Sequence, residues 1–334
     1  MSGTTRAPAE VCVVGAGAVG GMIGARLAAA GTTTSALARG ATLEALQDNG
    51  WQLHEGGDLI SGPVVASNDP EDLGQPDVVV LAVKAQSLTE LAPRLSGLIG
   101  PHTVVLPAMN GVPWWFCEGL GGPVDGRRLT SVDPDGAIAA SLPATSVVGC
   151  VVHLSASTSA PGVTVHGTKH SLILGEPSGA RTERLDHVAG LLTAAGFDIT
   201  TSDRIQTDVW FKLWGNMTMN PISVLTGTTM DKIVADELVV GFLRAVMLEA
   251  REIGARIGTP VEQDVDQRLE ITRSMGPMRT SMLQDAEAGR SIELDALVSA
   301  VRELGQAVDV PTPSTDALLG LTRVAARARG LYPG

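Results

Sequence analysis

The sequence predicts an α/β chain in which a parallel-sheet domain is followed by an all-α domain, and three observations carry that prediction. The first is a strand, a glycine turn, a helix and a second strand within roughly thirty residues of one another near the N-terminus, the pattern of a βαβ unit. The second is the apolar run Asp77–Val83, DVVVLAV, which suits a strand covered on both faces. The third is a change of texture near Thr200, after which long helical patterns take over. With 334 residues the chain can form two domains, each with its own core. The boundary is placed so that residues 1–200 form the first domain and residues 201–334 the second.

Residues 1–9 read as a disordered leader. Val11–Val14 is a short apolar run ending in glycines, as expected of a buried strand. Ala18–Ala30 is alanine-rich and helical, Gly31 ends it, and Thr32–Ala38 is β-branched enough for the second strand. Ser87–Leu98 reads as a helix and Thr103–Leu106 as a strand. Val147–Leu154 and Val163–Leu174 read as antiparallel strands, because little helical sequence separates them. Residues Cys117–Thr145 are rich in Gly, Pro and Asp and suggest a long surface insertion. Helical patterns then cover Arg204–Val224, Ala235–Gly258, Val261–Ser274, Arg279–Ala288 and Ile292–Val308, and Pro311 and Pro313 precede a last helix. There is no internal repeat, low-complexity tract or heptad array.

Composition narrows the function classes. Hydrophobic residues make up 44% and charged residues 18%, as in an ordinary globular protein. A formal charge of −12 repels nucleic acid and anionic membrane surfaces, so neither is expected as a partner. Cys12, Cys117 and Cys150 are odd in number and widely spaced, and read as reduced thiols of a cytoplasmic protein. Val11–Gly31 mimics a signal peptide, but it carries six glycines and Arg26. No uncharged run in it reaches the ~18 residues of a membrane helix. Asn216-Met217-Thr218 matches a glycosylation acceptor, which without a secretory signal reads as chance. His166 and His170 are spaced as metal ligands can be, yet no cysteine or glutamate motif accompanies them, and no metal site is expected. No nucleophile motif of the Gly-x-Ser-x-Gly or Cys–His kind emerges.

Gly15-Ala16-Gly17-Ala18-Val19-Gly20 fits G-x-G-x-x-G, between a strand and a helix. The first glycine permits the tight turn, the second lets a pyrophosphate approach the backbone, and the third lets helix and strand pack closely. The helix N-terminus offers its N–H groups to the phosphates. These features predict a Rossmann-type dinucleotide-binding domain. Enzymes that use NAD place an acid at the end of the second strand to bind the ribose 2′-OH. Here Leu37-Ala38-Arg39-Gly40 stands there, with no acid until Glu44. Arg39 can pair with a 2′-phosphate, so the cofactor expected is NADPH. Lys84 follows the strand of residues 77–83, at the edge where ligands bind in such sheets; the alternative is a solvated loop lysine.

The chemistry-bearing residues cluster later. Lys212, Asn216 and Asn220 are successive i, i+4 neighbours and form one polar line on an otherwise largely apolar helix. Such a line must face water or a lined cavity, and one lysine with two amides suits a small oxygen-rich ligand. Asn110 and Gly111 follow a strand and could be a plain Asn-Gly turn. Ser281 could cap the helix that follows, Asp285 could be a surface residue, and Glu293 could be a first-turn residue favoured by the helix dipole. Trp114, Trp115, Phe116, Trp210, Phe211 and Trp214 are six of the ten aromatics. They read as core packing or, alternatively, as the lining of an unusually apolar pocket.

In this order, the Gly15–Gly20 fingerprint, Arg39, Lys84, Asn110, Lys212-x3-Asn216-x3-Asn220-Pro221, Ser281-Met-Leu-Gln-Asp285 and Ile292-Glu293 resemble the ketopantoate reductase (2-dehydropantoate 2-reductase) family over nearly the whole chain. The resemblance implies that NADPH delivers hydride to the carbonyl carbon of a small 2-keto acid, giving an (R)-hydroxy acid on the way to pantothenate and coenzyme A. Lys212 would be the general acid, with Glu293 orienting it. Ser281 would bind the substrate carboxylate, and Asn216 and Asn220 other substrate oxygens. Asn110 would bridge substrate and nicotinamide ribose, and Lys84 would lie near the cofactor. A homodimer through the helical domain is compatible with this picture. Two other functions compete: reduction of another branched or aromatic 2-keto acid, and an NADP(H) sensor without catalysis. The Lys212–Glu293 pair argues against the sensor.

Overall fold

The computed structural model describes residues 9–333, so all but Ala9 of the leader read from the sequence lies outside the described residues. Two compact units emerge. One contains the residues up to Met109 together with Ala137–Ile205; the other contains Asn110–Gly136 and the residues from Gln206 onward.

The first unit runs β1 (Glu10–Val14), α1 (Ala18–Ala29), β2 (Thr33–Leu37), α2 (Gly40–Asn49), β3 (Trp51–Glu55), β4 (Asp58–Gly62), β5 (Val65–Ser67), β6 (Val78–Leu81), α3 (Ala85–Leu95) and β7 (Val104–Pro107). It resumes with α4 (Ala137–Ser141), β8 (Gly149–Ala160), β9 (Val163–Gly175), α5 (Glu183–Ala194) and β10 (Asp198–Thr201). One sheet has the order β5-β2-β1-β6-β7, and each of its pairings is parallel. The chain winds outward from β1 in one direction and then in the other, which is the Rossmann-type arrangement expected from the sequence. β1, β6 and β7 are almost wholly buried, as their unbroken apolar runs require.

A second sheet has the order β10-β9-β3-β4, with β8 on β9. β8 and β9 are the antiparallel pair expected near residues 147–174, and both are longer than their apolar patterns. The sequence patterns do not predict β3, β4, β5, β10, α2, α4 or α5. These strands are short, with mixed polar and apolar residues, and only pairing with their neighbours makes them strands.

Packing around α1 explains its composition. The helix lies against β3, β4, β8 and β9, and its small residues let it come close. A Cβ on Gly24 would overlap the Trp51 ring, which is buried and fixed by a 2.9 Å bond from its Nε1 to Thr34 Oγ1. Arg26, 8% exposed, is the one charge on this helix. It donates to the Gly196 carbonyl at 2.5 Å and pairs with Glu55, whose carboxylate also meets His166 Nδ1 at 2.8 Å. A buried guanidinium needs such partners.

The second unit is helical: α6 (Ile205–Thr226), α7 (Met230–Ile233), α8 (Glu237–Ile257), α9 (Val265–Ser274), α10 (Ser281–Glu287), α11 (Ala300–Ala307) and α12 (Pro313–Ala328). A π-helical turn, Asp295–Ser299, leads into α11, where the sequence predicts one uninterrupted helix. Residues 117–145 lie largely at the surface, as expected, but they are anchored rather than loosely inserted. Cys117, Val124, Leu129, Asp133, Ile138 and Leu142 are buried. The Glu303 carboxylate accepts the backbone N–H and the hydroxyl of both Thr130 and Ser131, at 2.7–3.1 Å. A Gly- and Pro-rich composition signals irregular backbone, which need not be exposed.

Cys12, Cys117 and Cys150 are buried thiols. Burial pushes Cys12 up to about 11 and Cys117 up to about 12, so both remain protonated. Thr218 of the glycosylation-like triplet is buried inside α6, its hydroxyl donating to Gly215 O at 2.8 Å. Among the described residues, no helix is long and apolar enough to cross a membrane.

Two glycines in helix interiors should respond oppositely to substitution. Gly24→Leu drives a side chain into the Trp51 ring and is expected to destabilise by about 1–3 kcal/mol or more. A Cβ on the exposed Gly190 of α5 meets nothing, so Gly190→Ala is expected to stabilise by about 0.5–1 kcal/mol. Urea unfolding midpoints would check both; a stabilised Gly24→Leu would refute the packing account.

Candidate active site

β1 and β6 are parallel neighbours at the point where the sheet order reverses, and the Gly15–Gly20 turn and Lys84 follow their C-terminal ends. Gly15 has φ +94° and donates its N–H to Leu37 O at 3.1 Å. A Cβ there would lie 2.6 Å from Val83 Cγ1 and 2.9 Å from the Ala82 carbonyl oxygen, so the turn demands glycine. A Cβ on Gly20 would overlap the Gly15 carbonyl, so this position too is closed to side chains.

Gly17 differs. It caps the N-terminus of α1 without a side-chain hydrogen bond, and a Cβ there would meet nothing within 4 Å. The first turn, with Ala18, Val19 and Gly20, carries no acid. Ala16, Gly17, Ala18 and Val19 therefore frame an open helix N-terminus of the kind that suits a pyrophosphate. Arg39 ends the β2 edge as an exposed residue at the N-terminus of α2, and no acid occupies the first turn of that helix. Lys84, half-buried, is the N-cap of α3.

In the helical unit, α6 carries Lys212, Asn216 and Asn220 at one-turn intervals. Lys212 and Asn216 are half-buried and Asn220 is buried. Lys212 Nζ donates to Asn110 Oδ1 at 2.7 Å, joining two residues 102 positions apart. Asn110 precedes Gly111, whose φ of +86° turns the chain against the π-helical turn. A Cβ on Gly111 would lie 2.7 Å from Ala296 Cβ and 2.8 Å from Ala296 O. The widened turn sends Ala300 N–H to Asp295 O, and Ala296 O accepts instead from Val112 N at 2.8 Å. Asn110 is thus more than an Asn-Gly turn: its turn is docked on the backbone that follows Glu293.

Glu293 is half-buried, two residues before the π-helical turn. Ser281 is exposed at the first position of α10. It does not cap that helix. Thr280 does, accepting Leu283 N at 3.1 Å, because the residue outside the first turn is the one whose oxygen can reach back to it. Thr280 Oγ1 also shares a 2.6 Å hydrogen bond with Ser223 Oγ, which donates to the Asn220 carbonyl at 2.7 Å. This chain of bonds ties the start of α10 to the Asn220 end of the polar line. Asp285 is half-buried and pairs with Arg290 at 2.8 Å.

The aromatic clusters form core. Trp114, Trp115, Phe116, Trp210 and Trp214 are buried, and Phe116 stacks near Trp210 with ring centroids 5.9 Å apart. Trp210 and Trp214 donate their indole N–H groups to Ala250 O and Met247 O on α8. Phe211 alone of the six is exposed, beside Arg268. His166 and His170 are engaged with Glu55 and Asp198. Sequence reasoning assigns Asp295 no role and misses Ser299 and Tyr332. The Tyr332 hydroxyl donates to the Asp295 carboxylate, with oxygens at 2.7 and 2.8 Å, and Ser299 Oγ donates to it at 2.7 Å. Only the Asp295–Ser299 spacing, i and i+4, left a trace in the sequence.

Two family models match the chain: "Ketopantoate reductase PanE/ApbA" over residues 11–179 and "Ketopantoate reductase PanE/ApbA C terminal" over residues 204–326. A curated 2-dehydropantoate 2-reductase of Mesorhizobium japonicum is 47% identical over 97% of this chain and 99% of its own length. A solved protein of Ralstonia solanacearum MolK2, provisionally named a ketopantoate reductase, is 54% identical with a TM-score of 0.93, covering 98% of this chain and 100% of that one. The solved 2-dehydropantoate 2-reductase of Methylococcus capsulatus is 26% identical with a TM-score of 0.81, over 96% of this chain and 97% of that one. With both halves matched in order and a relative of this identity along almost the full length, the chain belongs to the ketopantoate reductase family of oxidoreductases.

Proposed function

We propose that the protein reduces 2-dehydropantoate (ketopantoate) to (R)-pantoate with NADPH, using Lys212 as general acid. The observation that carries this reading is the 2.7 Å bond from Lys212 Nζ to Asn110 Oδ1, in a unit whose α6 also presents Asn216 and Asn220 in line with Lys212. The name of the Mesorhizobium relative supports the substrate. Arg39, in the place where an acid would favour NAD, supports NADPH. The product would enter pantothenate and coenzyme A synthesis, in the cytoplasm, and a homodimer remains compatible with it.

When bound, the nicotinamide dinucleotide supplies the hydride. The open N-terminus of α1, framed by Ala16, Gly17, Ala18, Val19 and Gly20, would hold its pyrophosphate through backbone amides, with Gly15 shaping the turn that leads to it. Arg39 would pair with the 2′-phosphate, and Lys84 and Asn110 would add contacts to the dinucleotide. At the substrate, the Lys212 ammonium stabilises the negative charge that develops on the C2 oxygen. It then releases one Nζ proton to that oxygen, which closes the alcohol and leaves a neutral amine to be reprotonated from water. Asn110 orients Nζ by accepting one of its three protons. Glu293 hydrogen-bonds the same hydroxyl region and helps to orient Lys212. Ser281 donates to the substrate carboxylate, and Asn216 and Asn220 hold its remaining oxygens. The aromatic clusters, being core, lend no support to a larger aromatic keto acid as substrate.

Loss of NADPH absorbance with 2-dehydropantoate tests the reading. Lys212→Ala is expected to lower kcat by about 10²–10⁴-fold, the usual range for a general acid, with dinucleotide binding retained. Undiminished turnover in that variant would remove Lys212 from the chemistry. A folded, NADPH-binding wild type that prefers another member of a 2-keto acid panel would replace the substrate but keep the reaction.

Arg39→Ala is expected to raise the KM for NADPH by roughly ten-fold or more, as for a lost hydrogen bond to a charged group, and to leave that for NADH unchanged. Equal effects on the two cofactors would count against a 2′-phosphate contact.

A further inference from the structure

Around Glu293 the structure contains a second layer of contacts. The backbone N–H of Ile292, immediately before Glu293, donates to Leu331 O at 3.0 Å. The carboxylate of Asp295, two residues after it, accepts the Tyr332 hydroxyl at 2.7 and 2.8 Å. Residues on both sides of Glu293 are therefore fastened to consecutive residues of the segment that follows α12. The Asp295 end is also where the helix is widened into a π turn, and that turn receives Val112 N on Ala296 O. One short stretch of backbone thus holds Glu293, through Leu331 and Tyr332, and the Asn110 turn that contacts Lys212. π-Helical turns of this kind recur at functional sites, where they re-aim side chains.

Tyr332 is built for a fixed role. It is the only tyrosine in the chain. Its ring lies beneath two guanidinium groups, Arg323 at 5.9 Å and Arg327 at 5.6 Å from its centroid. Arg327 also donates to the Pro333 carbonyl at 2.8 Å, which steadies the segment. Burial and the Asp295 carboxylate push the phenol up to about 12, so it stays a donor across the neutral range.

We propose that Tyr332 is a positioning residue for the reduction, acting through Asp295 and the π-helical turn to set Glu293 against Lys212 and Asn110. This rests on the reading of Glu293 as part of the site. Its role is indirect: the hydroxyl bonds the Asp295 carboxylate and so fixes the backbone from which Glu293 projects.

Tyr332→Phe keeps the ring under the two arginines and removes only the hydroxyl. Turnover is measured with NADPH and the 2-keto acid that wild type reduces fastest. The variant is expected to lose about ten-fold in kcat, as for one hydrogen bond to a charged group, with the KM for NADPH unchanged. In a Glu293→Gln background the same substitution is expected to cost nothing further, because the two act through one path. An unchanged kcat overturns the proposal. So does a loss of equal size in the Glu293→Gln background, which would place the effect of Tyr332 elsewhere. Full turnover by Glu293→Gln alone refutes the role of Glu293, and with it the proposal; that result is distinct from a failure of Tyr332, which leaves Glu293→Gln impaired. Should Tyr332→Phe fold poorly by thermal melting, Asp295→Asn, which removes the charge at the other end of the same bond, is read by the same criteria.

Discussion

The close approach of the Asn110–Val112 turn to the π-helical turn at Asp295–Ser299 is the contact on which the helical unit's site depends. It needs a glycine at 111, because any Cβ there would run into Ala296. It needs an acceptor for Val112 N, which Ala296 O provides because the widened turn directs Ala300 N–H to Asp295 instead. With the turn seated, Asn110 can take the ammonium of Lys212. A half-buried ammonium needs acceptors, and the seating of this backbone loop supplies one of them. Glu303, by accepting four hydrogen bonds from Thr130 and Ser131, holds the far end of the same segment onto α11.

The first unit solves a different problem by a different means. Its turn after β1 excludes side chains at Gly15 and Gly20 and leaves space at Gly17, so the α1 N-terminus is open while the helix behind it is tightly packed. That packing also explains Arg26. A charge in an apolar helix persists because Gly196, Glu55 and the Phe197 ring surround it. The same economy governs the aromatics, whose position near Lys212 in sequence suggested a pocket. Helix geometry turns Trp210 and Trp214 away to α8, where their N–H groups find carbonyl partners, and only Phe211 reaches the surface.

Both of the helical unit's supports, the Glu303 clamp and the Tyr332–Asp295 bond, join a carboxylate to donors outside its own helix. Such bonds stiffen a site more than apolar contacts do, because a carboxylate that loses its donors in a partly buried place has no cheap alternative. Apolar packing supplies most of the stability and these bonds supply the geometry.

By itself the sequence determined the dinucleotide turn and the polar line of α6. The Gly15–Gly20 turn lies between adjacent elements, and Lys212, Asn216 and Asn220 repeat at the period of a helix, so local rules suffice to read them. It determined the Rossmann-type order through unbroken apolar strands, and it marked Ser281 and Glu293 only by resemblance. Tertiary structure alone decided that Asn110 meets Lys212, that residues 110–136 belong with the helices, that Thr280 rather than Ser281 caps α10, and that the helix after Glu293 opens into a π turn. The physical reason is the same in each case. These outcomes depend on which donor reaches which acceptor across gaps such as 102 residues for Asn110 and Lys212 or 37 for Asp295 and Tyr332, and such bonds leave no periodicity in a sequence.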